Sequence, residues 1–179
     1  MDFKLIDTNG IKVNVAIEGS GPLIICVHGF PESWYSWRHQ ISFLSNAGYT
    51  VAAIDVRGYG KSDKPYDVDQ YSLKKISNDI IGIIDALNFK TAVLIGHDWG
   101  GPIVWHSAAL NEDRITAVAG LSVPYFQRLN VTPIEIFKSL YSDRFFYQIY
   151  FQDEGIAESE FESDVRKFLK LMYVNSDHR

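Results

Sequence analysis

An apolar run that leads into a glycine-flanked aspartate is the feature that most restricts how this chain can fold. Residues 92–95 are apolar, residues 96–100 read Gly-His-Asp-Trp-Gly, and a helix-like segment begins near Pro102. The Gly-x-Asp-x-Gly spacing is typical of a nucleophile elbow, a sharp strand-to-helix turn that lifts one side chain clear of a sheet edge. Glycines flank such a residue because neighbouring Cβ atoms would collide in the strained turn. Taken alone, the same spacing also fits an ordinary turn with a solvated Asp98.

The rest of the pattern predicts a hairpin followed by alternating strands and helices. Alternating or continuous apolar residues predict strands over 3–8, 11–17, 23–27, 49–54, 92–95 and 116–123. Asn9-Gly10 between the first two strands is a strong hairpin signal. Apolar stripes predict helices over 33–47, over 72–87 and from Pro102 onward. This order indicates an α/β domain with a mixed sheet.

The character of the chain changes after residue 123. No strand pattern follows, aromatic residues become dense over 144–152, Asp153-Glu154-Gly155 interrupts them, and 158–173 is predicted to be one helix. We therefore expect residues 1–123 to be the amino-terminal part of the core. Residues 124–179 are expected to be a partial helical cap.

Composition excludes several classes of function. The chain has 179 residues, is 46% hydrophobic and carries a formal net charge of -5, with no concentration of basic residues. A nucleic-acid or anionic-membrane partner is therefore not expected. Cys26, the one cysteine, lies in an apolar run and is predicted to be a buried structural thiol. Without a signal-peptide pattern or an apolar run of spanning length, a cytoplasmic location is expected.

A second loop is predicted to meet Asp98. His28-Gly29-Phe30-Pro31 follows the buried strand 23–27, and ligands of open α/β sheets bind beyond the carboxyl ends of the strands. The backbone amides of Phe30 and Trp99 could then form a two-donor oxyanion hole. His28 is predicted to be a structural residue that hydrogen-bonds this loop, because a general base should come later in the chain. The glycine-rich loop 55–63 fits no phosphate-binding spacing and is also predicted to be structural.

Four segments together resemble the α/β-hydrolases, and among them the epoxide hydrolases of the soluble, cytosolic type. The segments are 28–38, 55–62, 96–101 and 147–155. The resemblance implies the α/β-hydrolase fold, with a mixed, mostly parallel sheet, helices on both faces and the start of a helical lid. It also implies no cofactor and no metal, with a small apolar epoxide and water as the substrates.

The resemblance also assigns roles to particular residues. Asp98 resembles the nucleophile, Phe30 and Trp99 resemble the oxyanion-hole donors, and Tyr147 resembles one of two lid tyrosines that hold the epoxide oxygen. The substrate pocket would include His28, Pro31, Trp99 and Tyr147. An ionised carboxylate can open the strained ring, a tyrosine hydroxyl can protonate the leaving oxygen, and an ester results. Water would then attack the ester carbonyl and release a vicinal diol.

The hydrolytic step is where the sequence departs from the family. Its general base is a histidine oriented by an acid, and both belong after later strands, beyond residue 179. The five histidines, at positions 28, 39, 97, 106 and 178, are each predicted to be structural or solvent-facing. Two interpretations stay open, an amino-terminal fragment and a naturally short form. In either case the strand 116–123 would be an exposed edge, and self-association through it is expected.

Other functions fit part of the pattern. A haloalkane dehalogenase uses the same aspartate with Trp99 as a halide ligand, but it usually has Asn where Phe30 stands. A fluoroacetate-type dehalogenase tolerates the Phe but prefers Arg in place of Trp99. A non-catalytic remnant that binds apolar ligands or a partner protein is a third alternative. The epoxide hydrolase is favoured because more of the separate segments agree with it.

Overall fold

A mixed sheet organises the first part of the chain in the computed structural model, which describes residues 1–127 and 130–174. The strands of these ranges are β1 (Asp2–Thr8), β2 (Ile11–Glu18), β3 (Leu23–Val27), β4 (Thr50–Ile54), β5 (Ala92–His97) and β6 (Ile115–Leu121). They lie in the order β1-β2-β4-β3-β5-β6. The pairs β1–β2 and β2–β4 are antiparallel, and β3, β4, β5 and β6 are parallel to one another. The predicted mixed sheet is confirmed.

The hairpin between β1 and β2 forms at the predicted dipeptide. Asn9 and Gly10 have φ angles of 47° and 80°. Two consecutive left-handed residues make the two-residue turn whose twist matches that of the flanking strands. The register then pairs Thr8 with Ile11.

Helices cover both faces of this sheet. They are α1 (Arg38–Asn46), α2 (Leu73–Ala86) and α3 (Gly100–Leu110), with 3-10 turns at Trp34–Trp37 and Val68–Tyr71. The predicted helix 33–47 therefore begins as a 3-10 turn, which Ser33 caps by accepting the Tyr35 N–H. Gly48 and Asn88 take the predicted left-handed stops, with φ angles of 90° and 61°. The last strand ends at Leu121, two residues earlier than predicted, because Ser122 adopts a φ of 69°.

Two apolar cores sandwich the sheet. One face packs Ile25 and Leu94 against α2 and α3, and the other packs Ile24 and Cys26 against Ile41 of α1. Cys26 is fully buried, and burial raises the pKa of its thiol to about 12. The thiol therefore stays protonated, and the predicted structural role of Cys26 is confirmed.

The glycine-rich loop after β4 is held by a buried carboxylate. Asp55 accepts hydrogen bonds from the Asn14 side chain at 2.8 Å, the Trp34 amide at 2.9 Å and the Lys61 amide at 3.0 Å. A Cβ atom on Gly60 would overlap this carboxylate. The loop is thus built around an internal anion, and its predicted structural role is confirmed.

A buried ion pair fastens the same loop to α2. The Arg57 guanidinium donates to Asp79 through Nε at 2.9 Å and through a terminal nitrogen at 2.6 Å. Both side chains are almost completely excluded from solvent. Asn9 also donates to Asp79 at 3.0 Å, so this carboxylate joins the hairpin, the loop and the helix.

The second part of the chain is helical in its described residues. Its helices are α4 (Pro133–Leu140), α5 (Tyr147–Tyr150), α6 (Ile156–Ser163) and α7 (Val165–Tyr173). The prediction of one helix over 158–173 is wrong, because Asp164 has a non-helical backbone with a φ of -157° and its side chain caps α7 by accepting the Lys167 amide. The chain divides into two compact units, Met1–Phe126 and Gln127 onward. The boundary at 123/124 and the role of the second unit as a cap stay predictions.

Within the described ranges, no helix combines the length and the apolar composition that crossing a bilayer requires.

We predict that Asp79→Asn lowers the free energy of unfolding by about 3–5 kcal/mol, because it leaves the buried Arg57 guanidinium without a counter-charge. Urea unfolding measures this loss. The matched control is Asp85→Asn, which removes the solvent-exposed partner of Arg114 and should cost less than about 1 kcal/mol. Equal losses in the two variants would contradict the anchoring role of the Arg57–Asp79 pair.

Candidate active site

The turn that carries Asp98 is strained and closely packed. Asp98 has a φ of 50°, in the left-handed region that costs an ordinary residue about 1–2 kcal/mol. A Cβ atom on Gly96 would overlap the Gly100 carbonyl, and one on Gly100 would overlap the Val27 carbonyl. The predicted steric need for both flanking glycines is therefore confirmed.

Backbone hydrogen bonds hold this strained turn in place. The Asp98 amide donates to the Leu121 carbonyl at 3.3 Å, and the Gly101 amide donates to the Asp98 carbonyl at 2.9 Å. The first bond ties the turn to the end of β6, and the second leads into α3. Asp98 therefore sits at the carboxyl end of β5 with its backbone fixed on both sides.

The loop after β3 supplies a donor to the Asp98 side chain. The Phe30 amide donates to Oδ1 of Asp98 at 2.8 Å. The approach requires Gly29, since a Cβ atom there would lie 2.5 Å from the same oxygen. The predicted convergence of the two loops is confirmed. The Trp99 amide as the second donor stays a prediction.

The Asp98 carboxylate keeps its charge available to a ligand. The residue is half-buried, and in the described part of the chain no lysine, arginine or histidine forms an ion pair with it. Oδ1 accepts the Phe30 amide, and among the described residues no hydrogen bond to Oδ2 is seen. This is the arrangement that a carboxylate nucleophile requires.

Glu32 is a site residue whose role the sequence analysis missed. Its Oε2 accepts the Gly29 amide at 3.1 Å and lies 3.2 Å from Nδ1 of His97. The Glu32 amide in turn donates to the Gly29 carbonyl at 3.0 Å. One carboxylate thus joins the loop after β3 to the residue before Asp98. The only signal in the sequence is a glutamate three residues after the glycine of this loop.

His28 has both ring nitrogens occupied. Its Nδ1 donates to the Gly29 carbonyl at 2.7 Å, and its Nε2 accepts the Val56 amide at 3.0 Å. The residue is 1% exposed, and burial lowers the pKa of the ring. A neutral ring with both nitrogens engaged has no position from which to take a proton from water. The predicted structural role of His28 is confirmed.

The other histidines agree with their predictions where the structure describes them. His97 is bound to Glu32, His39 is exposed on α1, and His106 is half-buried on α3. The prediction for His178 falls outside the described residues.

Tyr147 begins α5 in the second unit. Its ring lies between Phe146 and Phe151, with centroid distances of 5.2 and 5.5 Å. Its hydroxyl oxygen accepts a hydrogen bond from the Gln148 side chain at 2.9 Å, which leaves the phenolic proton for another acceptor. The catalytic role of Tyr147 stays a prediction.

A cavity of about 250 Å³ opens in the first unit, and its lining includes Trp99, the residue after Asp98. His28 and Trp99, two of the residues predicted for the substrate pocket, line it together with Gly29. Pro31, which follows Phe30 through a cis peptide bond, and Tyr147 stay predicted pocket residues.

Comparison with known proteins finds a matching family and similar named proteins. Residues 22–156 match the alpha/beta hydrolase fold family. Epoxide hydrolase A of Mycobacterium tuberculosis is 44% identical over 94% of this chain and 53% of its own length. Bifunctional epoxide hydrolase 2 of Sus scrofa is 43% identical over 94% of this chain and 30% of its own length.

Solved structures show the same similarity. An epoxide hydrolase from an endophytic Streptomyces is 48% identical and superposes with a TM-score of 0.94 over 96% of this chain and 52% of that chain. Epoxide hydrolase A from Mycobacterium thermoresistibile is 41% identical, with a TM-score of 0.95 over 99% of this chain and 57% of that chain. The chain spans about half the length of these structures.

We predict that His28 makes stability depend on pH. Because burial holds the pKa of His28 below the value of about 6.5 in the unfolded chain, its contribution is complete above that pH and is lost as the pH falls towards the lowered pKa. Urea unfolding at pH 7.5 and pH 5 should show this loss, and His28→Gln should reduce it. His39→Gln, at an exposed position, is the control. A wild-type stability equal at the two pH values would contradict the buried neutral ring.

Proposed function

The chain belongs to the alpha/beta hydrolase fold family, and on that premise we propose that it carries the nucleophile of an epoxide hydrolase. The hydrogen bond from the Phe30 amide to Oδ1 of Asp98 is the observation that carries this proposal. It holds one carboxylate oxygen on a backbone donor and leaves the other for attack. The similarity to named epoxide hydrolases supports the choice of electrophile.

Ring opening follows from the charges of the groups involved. Oδ2 of Asp98 attacks a ring carbon, the carbon–oxygen bond of the epoxide breaks, and the ring oxygen leaves as an alkoxide. Tyr147 donates its phenolic proton to that oxygen and regains a proton from solvent. The product is a hydroxyalkyl ester of Asp98. The Gln148 contact supports this role of Tyr147, because an oxygen that accepts one hydrogen bond directs its own proton elsewhere.

Ester hydrolysis would use the Phe30 donor a second time. When water attacks the carbonyl carbon of Asp98, negative charge develops on Oδ1, where the Phe30 amide already points. The Trp99 amide is the proposed second donor. The general base of this family is a histidine that follows later strands, and His28 is already fully engaged. We therefore propose that residues 1–179 alone form the ester faster than they hydrolyse it.

We propose that the reactants are a small apolar epoxide and water, and that the reaction takes place in the cytoplasm.

β6 lies at one edge of the described sheet, and most of its side chains are at least partly exposed. Self-association through this edge is proposed as a property of this chain.

We predict that incubation with styrene oxide adds the mass of one epoxide to the chain, and that Asp98→Asn abolishes this adduct. The physical reason is that an amide is a far weaker nucleophile than a carboxylate. Intact mass analysis and peptide mapping would locate the ester. Diol production by the wild type would reveal a base that the described histidines do not provide. A folded wild type without any adduct favours a non-catalytic remnant, and an adduct from a chloroalkane but not from an epoxide favours a dehalogenase.

We predict that Tyr147→Phe slows adduct formation by about 100-fold or more, because the alkoxide loses its proton donor. The matched control is Tyr66→Phe, which removes a phenolic hydroxyl from a ring that is 93% exposed in the first unit. The rate of mass increase measures both variants. An unchanged rate in Tyr147→Phe would remove Tyr147 from the mechanism and leave the role of Asp98 intact.

A further inference from the structure

The turn between β1 and β2 contains the only asparagine–glycine pair in the chain, Asn9-Gly10. Asparagine is a thermolabile residue, and a following glycine has no side chain that hinders attack by its amide nitrogen. Both residues are exposed, and a Cβ atom added to Gly10 would meet no atom within 4 Å. Among the described residues no backbone hydrogen bond from the Gly10 amide is seen. The attacking nitrogen is therefore open to solvent.

Deamidation of such a pair needs no enzyme and no reactant except water. The Gly10 nitrogen gives its proton to hydroxide and bonds to Cγ of Asn9, the Cγ–Nδ2 bond breaks, and the side-chain nitrogen leaves as ammonia. Water then opens the resulting succinimide ring at one of its two carbonyl carbons. The product is an aspartate, or an isoaspartate whose main chain runs through the former side chain. Overall one water is consumed and one ammonia is released.

The amide that would be lost links the hairpin to α2. Nδ2 of Asn9 donates to the Lys75 carbonyl and to Oδ1 of Asp79, both at 3.0 Å. The same Oδ1 accepts a terminal nitrogen of Arg57 at 2.6 Å. Asp79 is 2% exposed, so water screens its charge only weakly. The two protons of the Asn9 amide thus satisfy two acceptors, and both leave with the ammonia.

A carboxylate at position 9 would reverse this interaction. It has no proton to donate at neutral pH, so the Lys75 carbonyl and Asp79 each lose a donor. Its negative charge would also lie beside that of Asp79, and like charges so close repel each other. An isoaspartate would further lengthen the main chain of the two-residue turn that pairs Thr8 with Ile11.

We propose that Asn9 is a site of spontaneous deamidation, and that the carboxylate so formed detaches the β1–β2 hairpin from α2. The inference is independent of the proposed catalytic function. In the folded chain two hydrogen bonds hold the Asn9 side chain, so the reaction is slower there than in the unfolded chain. Because the ammonia leaves, the change accumulates with the age of the protein.

Peptide mapping by mass spectrometry during incubation at mildly alkaline pH tests the site, with one sample in buffer and one in urea. Asn88 is the matched internal control, because it is also exposed and left-handed, with a φ of 61°, but precedes Phe89. We expect conversion of the Asn9 amide to an acid in both samples, about tenfold faster in urea, and none comparable at Asn88. If the folded sample shows no conversion at Asn9 when the urea sample is complete, or if another asparagine is converted first, the site is wrong.

Three variants separate the lost donor from the added charge. Asn9→Asp supplies the product directly, and Asn9→Gly removes the amide without adding a charge while it tolerates the left-handed backbone. Asn88→Asp adds the same charge at the control position. The midpoint of urea unfolding should fall from the wild type to Asn9→Gly and again to Asn9→Asp, whereas Asn88→Asp should stay closer to the wild type than Asn9→Asp does.

Equal midpoints for Asn9→Asp and Asn9→Gly would show that no repulsion arises at Asp79 and would overturn the proposed detachment. Should Asn9→Asp not fold, deamidated wild type separated by ion exchange supplies the product instead. Its midpoint should lie below that of the unmodified chain, and an equal midpoint would overturn the inference. None of these measurements uses an epoxide, so failure of the proposed function leaves their reading unchanged.

Discussion

The hydrogen bond between the Phe30 amide and Oδ1 of Asp98 is the contact on which the candidate site depends. It joins two loops that are 68 residues apart in the chain and follow adjacent parallel strands. Without it the carboxylate would be one more solvated side chain on a turn. With it, one carboxylate oxygen is fixed on a backbone donor, and the proposed reaction uses the other. The same dipole would later meet the charge of a tetrahedral intermediate, so a single contact serves both steps of the proposed reaction.

Much of the surrounding structure keeps this contact in position. Asp98 holds a left-handed backbone that is costly in isolation, and the bonds to the end of β6 and to α3 offset that cost. Glu32 and His28 hold the loop after β3. Both side chains bind its backbone at Gly29, and His28 also accepts the Val56 amide at the start of the loop after β4. Asp55 extends the network, because it binds the chain just after Glu32 at the Trp34 amide. Buried and partly buried polar groups outside the reacting set therefore support the site.

Local signals predicted most of the fold and the two loops of the site. Asn9-Gly10 predicted the hairpin, continuous apolar runs predicted the parallel strands, and the glycines beside Asp98 predicted the strained turn. Each of these features depends on residues that are neighbours in the sequence. The contact between Glu32 and His97 was missed because only the folded sheet brings them together. The break at Asp164 was missed because an apolar stripe continues across it while the side chain caps the next helix. Whether Tyr147 reaches the substrate depends on the placement of a separate unit, which neither periodicity nor spacing encodes.

Solution NMR of the Phe30 backbone amide tests the central contact most directly. The amide proton resonance would be followed during an acid titration of the wild type and of Asp98→Ala. If the amide donates to the carboxylate, its resonance lies downfield in the wild type, moves as the carboxylate is protonated, and loses both features in Asp98→Ala. A Phe30 resonance that is the same in the two proteins across the titration would contradict the contact and the mechanism built on it.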